Sequence, residues 1–232
     1  MSGTKFRTGG TKEDDLLEFV KVGKLLEVKD LIENQGVKAD CKDEDERTPL
    51  HWAAAKGQIS VAQYLMDNCK CSPNTNDDGG WTPLTSATSA GHTHMVKLLL
   101  EFGADPNTVN DSKRTPLHYA SSKGRSDIVD LLLTHGAKNR KDDTGSAPIH
   151  RASSNGSVAT VERLLKGEAN INSTNNEGDT PLHIAAEYNH EDVVECLLKH
   201  GADTTIENKD SKTPIDMSSS QTIKYLIKEF KK

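Results

Sequence analysis

The sequence predicts an all-α fold that is built as a solenoid of stacked helix–turn–helix repeats. Three observations support this prediction. A pattern that begins Thr-Pro-Leu-His recurs along the chain, its copies start at nearly constant separations, and most copies precede a stretch with apolar residues at helical spacing. Because one such unit is too small to bury its own apolar face, neighbouring units must stack to form a core.

The recurring pattern is clearest in three copies, which read TPLHWAAAKG, TPLHYASSKG and TPLHIAA and start at residues 48, 115 and 180. Degenerate copies, TPLTSATSAG, APIHRASSNG and TPIDMSSS, start at residues 82, 147 and 213. The steps between consecutive starts are 34, 33, 32, 33 and 33 residues. A TPLHxA element with a period of about 33 residues is the signature of ankyrin repeats. The sequence therefore predicts an ankyrin-repeat solenoid with projecting loops.

The repeat period sets the predicted boundaries. Residues 1–13 are polar and mildly basic, and we expect them to form a disordered tail. Before residue 48 the helix–turn–helix pattern persists without Thr-Pro-Leu-His, as expected for a terminal repeat that exposes one face to water. The prediction is seven repeats: a capping repeat at 14–47, internal repeats at 48–81, 82–114, 115–146, 147–179 and 180–212, and a C-terminal capping repeat at 213–232.

Each internal repeat follows one plan. Its threonine is expected to cap the first helix, and the proline that follows occupies the first helical position, where a missing N–H is harmless. A glycine ends the first helix in most copies. The second helix carries the larger apolar stripe, for example Val61, Tyr64 and Leu65.

In the two terminal repeats the sequence predicts the cap of the first helix and the buried face of the last helix. At the N-terminus, Asp14 or Asp15 is the predicted cap of the first helix. At the C-terminus, four apolar side chains at helical spacing are expected to form the buried face: Ile223, Leu226, Ile227 and Phe230.

Composition narrows the class of function. The 232 residues carry a net charge of −6, which argues against nucleic acid or an anionic membrane as the main partner. No apolar run approaches the roughly 18 residues of a membrane span, and no signal-peptide pattern opens the chain. The 4 cysteines lack zinc-site spacing and indicate reduced thiols. We therefore expect a cytoplasmic and nuclear protein without a metal or cofactor.

Four histidines invite a catalytic or metal-binding interpretation: His51, His118, His150 and His183. They recur at the repeat period, one per layer, so we expect each imidazole to hydrogen-bond backbone between neighbouring repeats. Thr85 and Asp216 replace histidine in two copies, which a structural polar position tolerates. The chain also lacks the nucleotide-binding, metalloprotease and nucleophile-elbow motifs, so we predict that it is not an enzyme.

Residues that depart from the repeat consensus are the ones free to specify a partner. The loops at residues 43–47 and 77–81 are the most acidic and are expected to lie side by side. They would form a negative stripe that suits a partner with a basic face. The alternative is that these carboxylates belong to solvated turns and bind nothing.

The two tryptophans belong to the same two repeats. Trp81 is expected to face outward at the base of its loop, whereas Trp52 could serve either packing or binding. Tryptophan and arginine are the residues most often found at interface hot spots. The predicted protein-binding residues are Asp45, Arg47, Trp52, Asp78, Trp81, Arg114, Tyr119, Lys123 and Arg151.

At these non-consensus positions the chain resembles the gankyrin family of ankyrin-repeat chaperones, the family of 26S proteasome non-ATPase regulatory subunit 10. The resemblance covers residues 14–232 and includes the same number of repeats. It rests on DERTPLHW from residue 45, DGGWTPL from residue 78, PLHYASSK from residue 116, HRA from residue 150 and IENKDSKTP from residue 206.

The resemblance implies that the chain binds the C-terminal domain of one AAA-ATPase subunit of the proteasome base on its concave face and escorts that subunit during assembly. The positions that match the family's binding residues are Asp45, Arg47, Trp52, Asp78, Trp81 and Lys123. Mammalian members also carry an LxCxE motif that binds the retinoblastoma protein. The corresponding stretch here, IAAEY at residues 184–188, has no cysteine, so that second activity is not expected.

A different class of function stays open, namely an ankyrin-type signalling inhibitor that occludes a kinase or a transcription factor. The tryptophan pair and its gankyrin-like surroundings favour the chaperone interpretation. Both interpretations describe a non-enzymatic chain that binds protein and is expected to act as a monomer.

Overall fold

A computed structural model describes residues 10–230 of the chain. Within that range the structure contains α-helices, one π-helical turn and no β-strand, and this confirms the predicted all-α solenoid of helix pairs. The chain divides into two compact units, Met1–Asp105 and Pro106–Lys232.

The first unit contains three helix pairs joined by projecting loops. Its helices are α1 (Lys12–Val22), α2 (Leu25–Lys29), α3 (Pro49–Lys56), α4 (Ile59–Asp67), α5 (Pro83–Ala90) and α6 (Thr93–Glu101). A π-helical turn, Asp30–Asn34, extends α2. The first helices of the pairs pack on one another, α1 on α3 and α3 on α5, and the second helices do the same, α2 on α4 and α4 on α6.

The second unit repeats this arrangement with four helix pairs. Its helices are α7 (Pro116–Ser122), α8 (Ser126–Thr134), α9 (Pro148–Asn155), α10 (Val158–Lys166), α11 (Pro181–Glu187), α12 (Glu191–Lys199), α13 (Pro214–Met217) and α14 (Gln221–Glu229). The first helices again stack in series from α7 to α13, and the second helices stack from α8 to α14.

The core of each unit consists of thin apolar layers between neighbouring helix pairs. Fully buried side chains include Leu50, Leu65, Leu84 and Leu99 in the first unit and Leu117, Leu132, Ile149, Leu164 and Leu182 in the second. Burial of one such side chain stabilises a fold by about 1.5–3 kcal/mol. Small residues on the first helices, such as Ala53 and Ala87, are also fully buried and allow those helices to approach closely.

The first helices begin and end where the repeat plan predicts. Thr48 has an extended backbone and precedes Pro49, the first residue of α3. The hydroxyl oxygen of Thr82 accepts a hydrogen bond from the N–H of Thr85 at 3.3 Å. At the other end of α3, Gly57 adopts a left-handed φ of 70°, a conformation that glycine adopts without a steric penalty.

The four recurring histidines link neighbouring repeats, as the sequence predicts. Nε2 of His118 donates to the carbonyl oxygen of Ser146 at 3.0 Å, and Nδ1 accepts the N–H of Thr115 at 3.1 Å. The corresponding Nε2 contacts of the other three histidines, 3.0 to 3.1 Å long, reach the carbonyl oxygens of Trp81, Asp179 and Lys212. Each of these contacts therefore joins one repeat to the loop of the next.

The N-terminal repeat differs from the prediction. Helix α1 begins at Lys12, inside the segment 1–13 that was expected to be disordered, and residues 1–9 of that segment lie outside the described residues. Thr11 caps this helix, so the prediction that Asp14 or Asp15 is the cap was wrong. Thr11 accepts the N–H of Asp14 at 3.2 Å, and the Asp14 carboxylate accepts the N–H of Thr11 at 2.7 Å, which forms a capping box.

The C-terminal repeat also needs a correction. Ile223 and Ile227 are fully buried, as predicted, but Leu226 is only partly buried and Phe230 is 46% exposed. Helix α14 ends at Glu229, so Phe230 follows its last turn and no later repeat covers it in the described chain. Only two of the four residues that were predicted to form the buried face are therefore fully buried.

Candidate protein-binding surfaces

The projecting loop before each first helix from α3 to α13 is built on one recurring side chain. The residue that opens the loop is Asp43, Asp77, Asn110, Asp142, Asn175 or Asn208. Its backbone N–H bonds to the carbonyl oxygen of the fifth loop residue, and its side-chain Oδ1 accepts the N–H of that same residue. The loop is therefore a closed turn with fixed geometry, which suits a surface that must present side chains in a set arrangement.

Neighbouring loops within a unit are also hydrogen-bonded to each other. In the first unit, the N–H of Asp78 donates to the carbonyl oxygen of Asp45 at 3.1 Å. In the second unit, the N–H of Asp143 donates to the carbonyl oxygen of Ser112 at 3.1 Å. The loops thus lie side by side within each unit.

Trp52, on α3, is held by three neighbours in the first unit. Its indole N–H donates to Oδ2 of Asp43 at 2.8 Å. The ammonium of Lys21 lies 4.4 Å from its ring centroid, and the guanidinium carbon of Arg47 lies 5.5 Å from it. Such cation–π contacts stabilise by about 0.5–1 kcal/mol at partly exposed sites. The half-buried Trp52 therefore packs against these neighbours and helps to place their charges, and its role in partner binding stays a prediction.

Arg47 extends from the loop before α3 to the next loop. Its Nε lies 3.1 Å from Oδ2 of the buried Asp77, and its Nη1 lies 3.8 Å from the exposed carboxylate of Asp45. The arginine side chain is 36% exposed. One of its donor groups is therefore already used within the fold, and its role in partner binding stays a prediction.

Trp81 lies close to Trp52. Both rings line a groove of about 230 Å³ together with Arg47, His51, Ser86 and Ser89. The backbone N–H of Trp81 donates to Oδ1 of Asp77 at 2.7 Å, and its side chain is only partly exposed. The predicted outward orientation is therefore only partly met, because the ring forms one wall of a groove between α3 and α5.

The acidic loops divide into structural and exposed carboxylates. Asp43 and Asp77 accept hydrogen bonds inside their own loops, so the prediction of two uniformly available acidic tips is too simple. Glu44, Asp45 and Asp78 remain exposed. Together with Glu46, which pairs with Lys42, they are the exposed acidic side chains of these two loops.

In the second unit, two arginines converge on one buried carboxylate. Oδ2 of Asp142 lies 3.3 Å from Nε of Arg114 and accepts a second hydrogen bond from Nη2 of Arg151. Oδ1 accepts the backbone N–H groups of Thr144 and Ser146, both at 3.0 Å. Burial alone would raise the pKa of Asp142, but the hydrogen bonds of Thr144 and Arg151 and the charge of Arg151 outweigh it and lower the pKa to about 2. Asp142 is therefore ionised at neutral pH.

The other two predicted residues of this unit differ in exposure. The Tyr119 hydroxyl accepts a hydrogen bond from Nδ2 of Asn110 at 2.8 Å, and burial is the main cause that raises the pKa of this phenol. Tyr119 is partly buried, whereas Lys123, which follows α7, is exposed. Tyr119 thus repeats the arrangement of Trp52, since both bond to the residue that opens their own loop.

Three other properties of the described residues concern metal binding, thiol reactivity and membrane spans. No group of three His, Cys, Asp or Glu side chains among residues 10–230 could hold a metal ion. Burial raises the pKa of the Cys41 thiol to about 11 and that of Cys71 to about 12, which keeps both protonated and unreactive at neutral pH. No helix of the described chain is both long and apolar enough to cross a membrane.

Sequence reasoning missed two important members of these clusters. Lys21 lies on α1, in the repeat that lacks the consensus, so no periodic signal marks its contact with Trp52. Asp142 could have been found, because an aspartate or asparagine opens every loop before a first helix from α3 to α13. That periodicity indicates a structural role for Asp142, and Arg114 and Arg151 place two positive charges beside it.

Comparison with known proteins gives one family and partial relatives. A family model described as "Ankyrin repeats (3 copies)" matches residues 16–110, 69–143, 87–175 and 149–232. Over 83 residues the chain is 35% identical to the probable 26S proteasome regulatory subunit p28 of Saccharomyces cerevisiae, which covers 35% of this chain and 36% of p28. Over 61 residues it is 44% identical to the mitochondrial liver isoform of glutaminase of Rattus norvegicus, which covers 26% of this chain and 10% of that enzyme.

The solved structures include a close match in fold. The ankyrin repeat domain of Bcl-3, described as a unique member of the IkappaB protein family, superposes with a TM-score of 0.81 at 28% identity. The match covers 96% of this chain and 100% of that domain. The chain matches only about a third of p28 and a tenth of the glutaminase, so neither protein's whole activity transfers to it directly.

Proposed function

The chain belongs to the ankyrin-repeat family, and from that premise we propose that it is a non-enzymatic chaperone for assembly of the regulatory-particle base of the 26S proteasome. It holds the C-terminal domain of one AAA-ATPase subunit of the base. Binding shields that domain from premature contacts until its neighbours are available. The role requires the chain to be present in the cytoplasm or nucleus, where proteasomes assemble.

One arrangement in the first unit carries the proposal. The exposed carboxylates of Asp45 and Asp78 lie on adjacent loops that are joined by a hydrogen bond. Beside them, Arg47 connects the tryptophan groove to Asp45 through its Nη1. Acidic, basic and aromatic groups in one fixed patch favour a partner with a complementary basic face.

Similarity supports the choice of partner. Six positions of this chain match the binding residues of the gankyrin family, and the patch contains five of them. The yeast protein that matches over 83 residues is a probable regulatory subunit of the 26S proteasome. An interface of ordinary size buries about 1,600 Å² in total and involves roughly 20–30 residues a side, so the five residues of the patch form only part of it. The patch therefore supplies the central contacts, and surrounding loop residues supply the rim.

The test is titration calorimetry of the full chain against each isolated C-terminal domain of the proteasomal ATPases. We expect tight binding to one domain. Trp81→Ala and Asp78→Lys should each weaken that binding by about 1–2 kcal/mol, roughly five- to thirtyfold, as hot-spot residues do. Asp78→Lys is the sharper variant, because it reverses an exposed charge whose carboxylate has no hydrogen bond or ion pair among the described residues.

The matched control is Lys97→Glu, which reverses an exposed charge on α6, a second helix of the same unit. It should bind like the unmodified chain. Arg47→Glu should also weaken binding, and its thermal unfolding is measured in parallel because Arg47 bonds Asp77 within the fold. Binding to none of the ATPase domains would exclude the chaperone role.

The likeness to Bcl-3 favours a second candidate function, a signalling inhibitor that occludes a kinase or a transcription factor. The two functions differ in what co-purifies with the full chain. Co-fractionation with subcomplexes of the proteasome base supports the chaperone, whereas co-fractionation with kinase or transcription-factor complexes supports the inhibitor.

A further inference from the structure

We propose that Arg114 and Arg151 form an anion site that receives a side-chain carboxylate from an acidic segment of the protein partner. The inference rests on the proposed function, since it assumes a protein partner. It adds that the segment of the partner that binds the second unit is acidic. The first unit presents exposed carboxylates, so the partner would need segments of both signs.

The charges of this cluster do not balance. Two guanidinium groups share one carboxylate oxygen, Oδ2 of Asp142. Among the described residues, neither arginine forms an ion pair with any other carboxylate. Because Asp142 stays ionised, the three side chains together carry one net positive charge at neutral pH. One further carboxylate would neutralise it.

The hydrogen-bond donors are also in excess. A guanidinium has five N–H donors in a rigid plane. Arg151 uses Nη2 on Asp142 and on Oγ1 of Thr144, at 3.1 Å, while its Nε is buried and without a hydrogen-bond partner in the described structure. Arg114 bonds Asp142 through Nε and also bonds the Tyr119 side chain, so fewer than half of its five donors are used. Planar donors of this kind match the two oxygens of a carboxylate.

The site is accessible and already ordered. The side chain of Arg114 is 35% exposed and that of Arg151 is 27% exposed, whereas that of Asp142 is fully buried. The buried carboxylate therefore holds both cations in place before any ligand arrives. Binding then needs little further ordering of side chains, and the loss of conformational freedom is a main cost of association.

The charge of the surrounding unit favours an acidic peptide over a nucleic acid. Residues 106–232 contain 17 Lys and Arg against 18 Asp and Glu, whereas residues 1–105 contain 12 against 17. The second unit is thus nearly neutral and the first is acidic. A nucleic acid needs several phosphate contacts from a basic surface, whereas this unit is nearly neutral and one or two carboxylates need only the arginine pair.

A purely structural role for the arginine pair makes a different prediction, and Asp142→Asn separates the two. Asparagine keeps an oxygen that accepts the N–H groups of Thr144 and Ser146, so the loop keeps those contacts. The substitution removes the negative charge and raises the net charge of the cluster. An anion site should then bind an acidic ligand more tightly, whereas a structural network gains nothing from the change.

The experiment measures fluorescence anisotropy of a labelled oligoglutamate peptide with the full chain at low ionic strength, with oligoglutamine as the neutral probe. Arg114→Gln and Arg151→Gln should each weaken oligoglutamate binding by about fivefold or more, since each removes a charged contact. Asp142→Asn should tighten it several-fold. Lys166→Gln, an exposed charge on the second helix α10, is the control and should leave it unchanged.

Two results would overturn the proposal. In one, the arginine variants bind oligoglutamate as tightly as Lys166→Gln does. In the other, Asp142→Asn binds no more tightly although its unfolding midpoint is unchanged. The same variants are titrated with the ATPase domains. If a domain binds but oligoglutamate does not, the anion site is rejected alone; if oligoglutamate binds but no domain does, the chaperone role is rejected alone.

Discussion

His118 fastens its own repeat to the next loop through Ser146, whose carbonyl oxygen accepts the Nε2 proton at 3.0 Å. The bond requires a neutral imidazole, because Nδ1 must at the same time accept the N–H of Thr115. Burial is the main cause that lowers the pKa of His118, to about 4. The unfolded chain binds this proton near pH ~6.5.

This difference predicts acid sensitivity. Between pH ~6.5 and pH ~4 the unfolded state binds more protons than the folded state, so the free energy of unfolding falls as the pH is lowered through this window. His118 alone accounts for a loss of about 3 kcal/mol at about 1.4 kcal/mol per pKa unit. Urea unfolding across that range measures it. Asp142 contributes only at lower pH, because its stabilisation is lost as the pH falls towards about 2.

His118→Thr is the matched variant, because Thr85 occupies the same position in another repeat and bonds the hydroxyl of Thr82 at 3.1 Å. It should be less stable at neutral pH and should lose less stability on acidification. His51 and His150, whose pKa values burial also lowers, retain part of the effect. An unchanged pH dependence in this variant would contradict the assignment.

Two buried serines predict stabilising substitutions. Ser121 and Ser153 are 0% exposed, and the structure gives their hydroxyl groups no hydrogen-bond partner among the described residues. Alanine occupies the same helix position in two other repeats, at Ala54 and Ala186. Ser121→Ala and Ser153→Ala should each raise the free energy of unfolding by about 1 kcal/mol, because the unsatisfied hydroxyl loses hydration on folding.

The control for these two variants is Ser122→Ala in the same helix as Ser121. The hydroxyl of Ser122 donates to the carbonyl oxygen of Tyr119 at 3.0 Å, so its removal should bring no gain. Chemical denaturation of the three variants gives the comparison. A loss of stability in both Ser121→Ala and Ser153→Ala would show that these hydroxyls have partners in solution.

The periodic part of the structure could be predicted from the sequence. The position of each TPLH histidine fixes which layer it lies in, and the bond from His51 to the next loop follows from that register alone. The same holds for Pro49 at the start of α3 and for the buried stripe that includes Leu65. In each repeat these positions contact the equivalent positions of the next repeat, so the contacts can be predicted from the repeat period.

The candidate surfaces could be predicted only in part, because their contacts are set by pairs of non-consensus residues in adjacent repeats. Arg47 is a predicted binding residue, and the repeat pattern does not reveal that its Nε is bonded to Asp77 of the next loop. Trp52 contacts Lys21, which no motif marks. At the C-terminus, Phe230 follows the helical spacing of a buried face but lies beyond the end of its helix.

The loop that carries Asp142 predicts a steric effect at Gly145. This glycine has a φ of +72°, and a Cβ at this position would lie 2.7 Å from the backbone nitrogen of Asn176. Lys113 occupies the same position in its own loop with a φ of 57°, so the left-handed backbone alone is tolerated. The close approach of the next loop is the additional restriction, and it should make Gly145→Ala strongly destabilising.

Gly136→Ala is the matched control, since Gly136 has a φ of +86° and nothing within 4 Å of an added Cβ. It should cost about 1 kcal/mol from the left-handed conformation alone. Gly145→Ala should cost about 1–3 kcal/mol more, as overpacking does. Equal losses in denaturant unfolding would mean that the two loops separate at little cost.

The pair of Trp52 and Asp43 predicts a measurable coupling in the first unit. Trp52→Phe removes the indole N–H that donates to Oδ2 of Asp43 at 2.8 Å, and it should cost about 1–2 kcal/mol. Asp43→Asn keeps an oxygen for the N–H groups of Asp45 and Arg47 but replaces Oδ2 with an NH₂ group. Each substitution thus breaks the same bond, so the double variant should be more stable than the sum of the two losses predicts.

A double-mutant cycle measured by urea unfolding tests this, and we expect a coupling free energy of about 1 kcal/mol. The control cycle pairs Asp43→Asn with Tyr64→Phe, because the Tyr64 hydroxyl bonds Glu33 at 2.9 Å and not Asp43. That cycle should be additive within about 0.5 kcal/mol. Coupling in the first cycle but not in the second would establish that Trp52 acts through Asp43. Trp52→Phe should then weaken partner binding less than Trp81→Ala does, because phenylalanine keeps an aromatic ring in the groove.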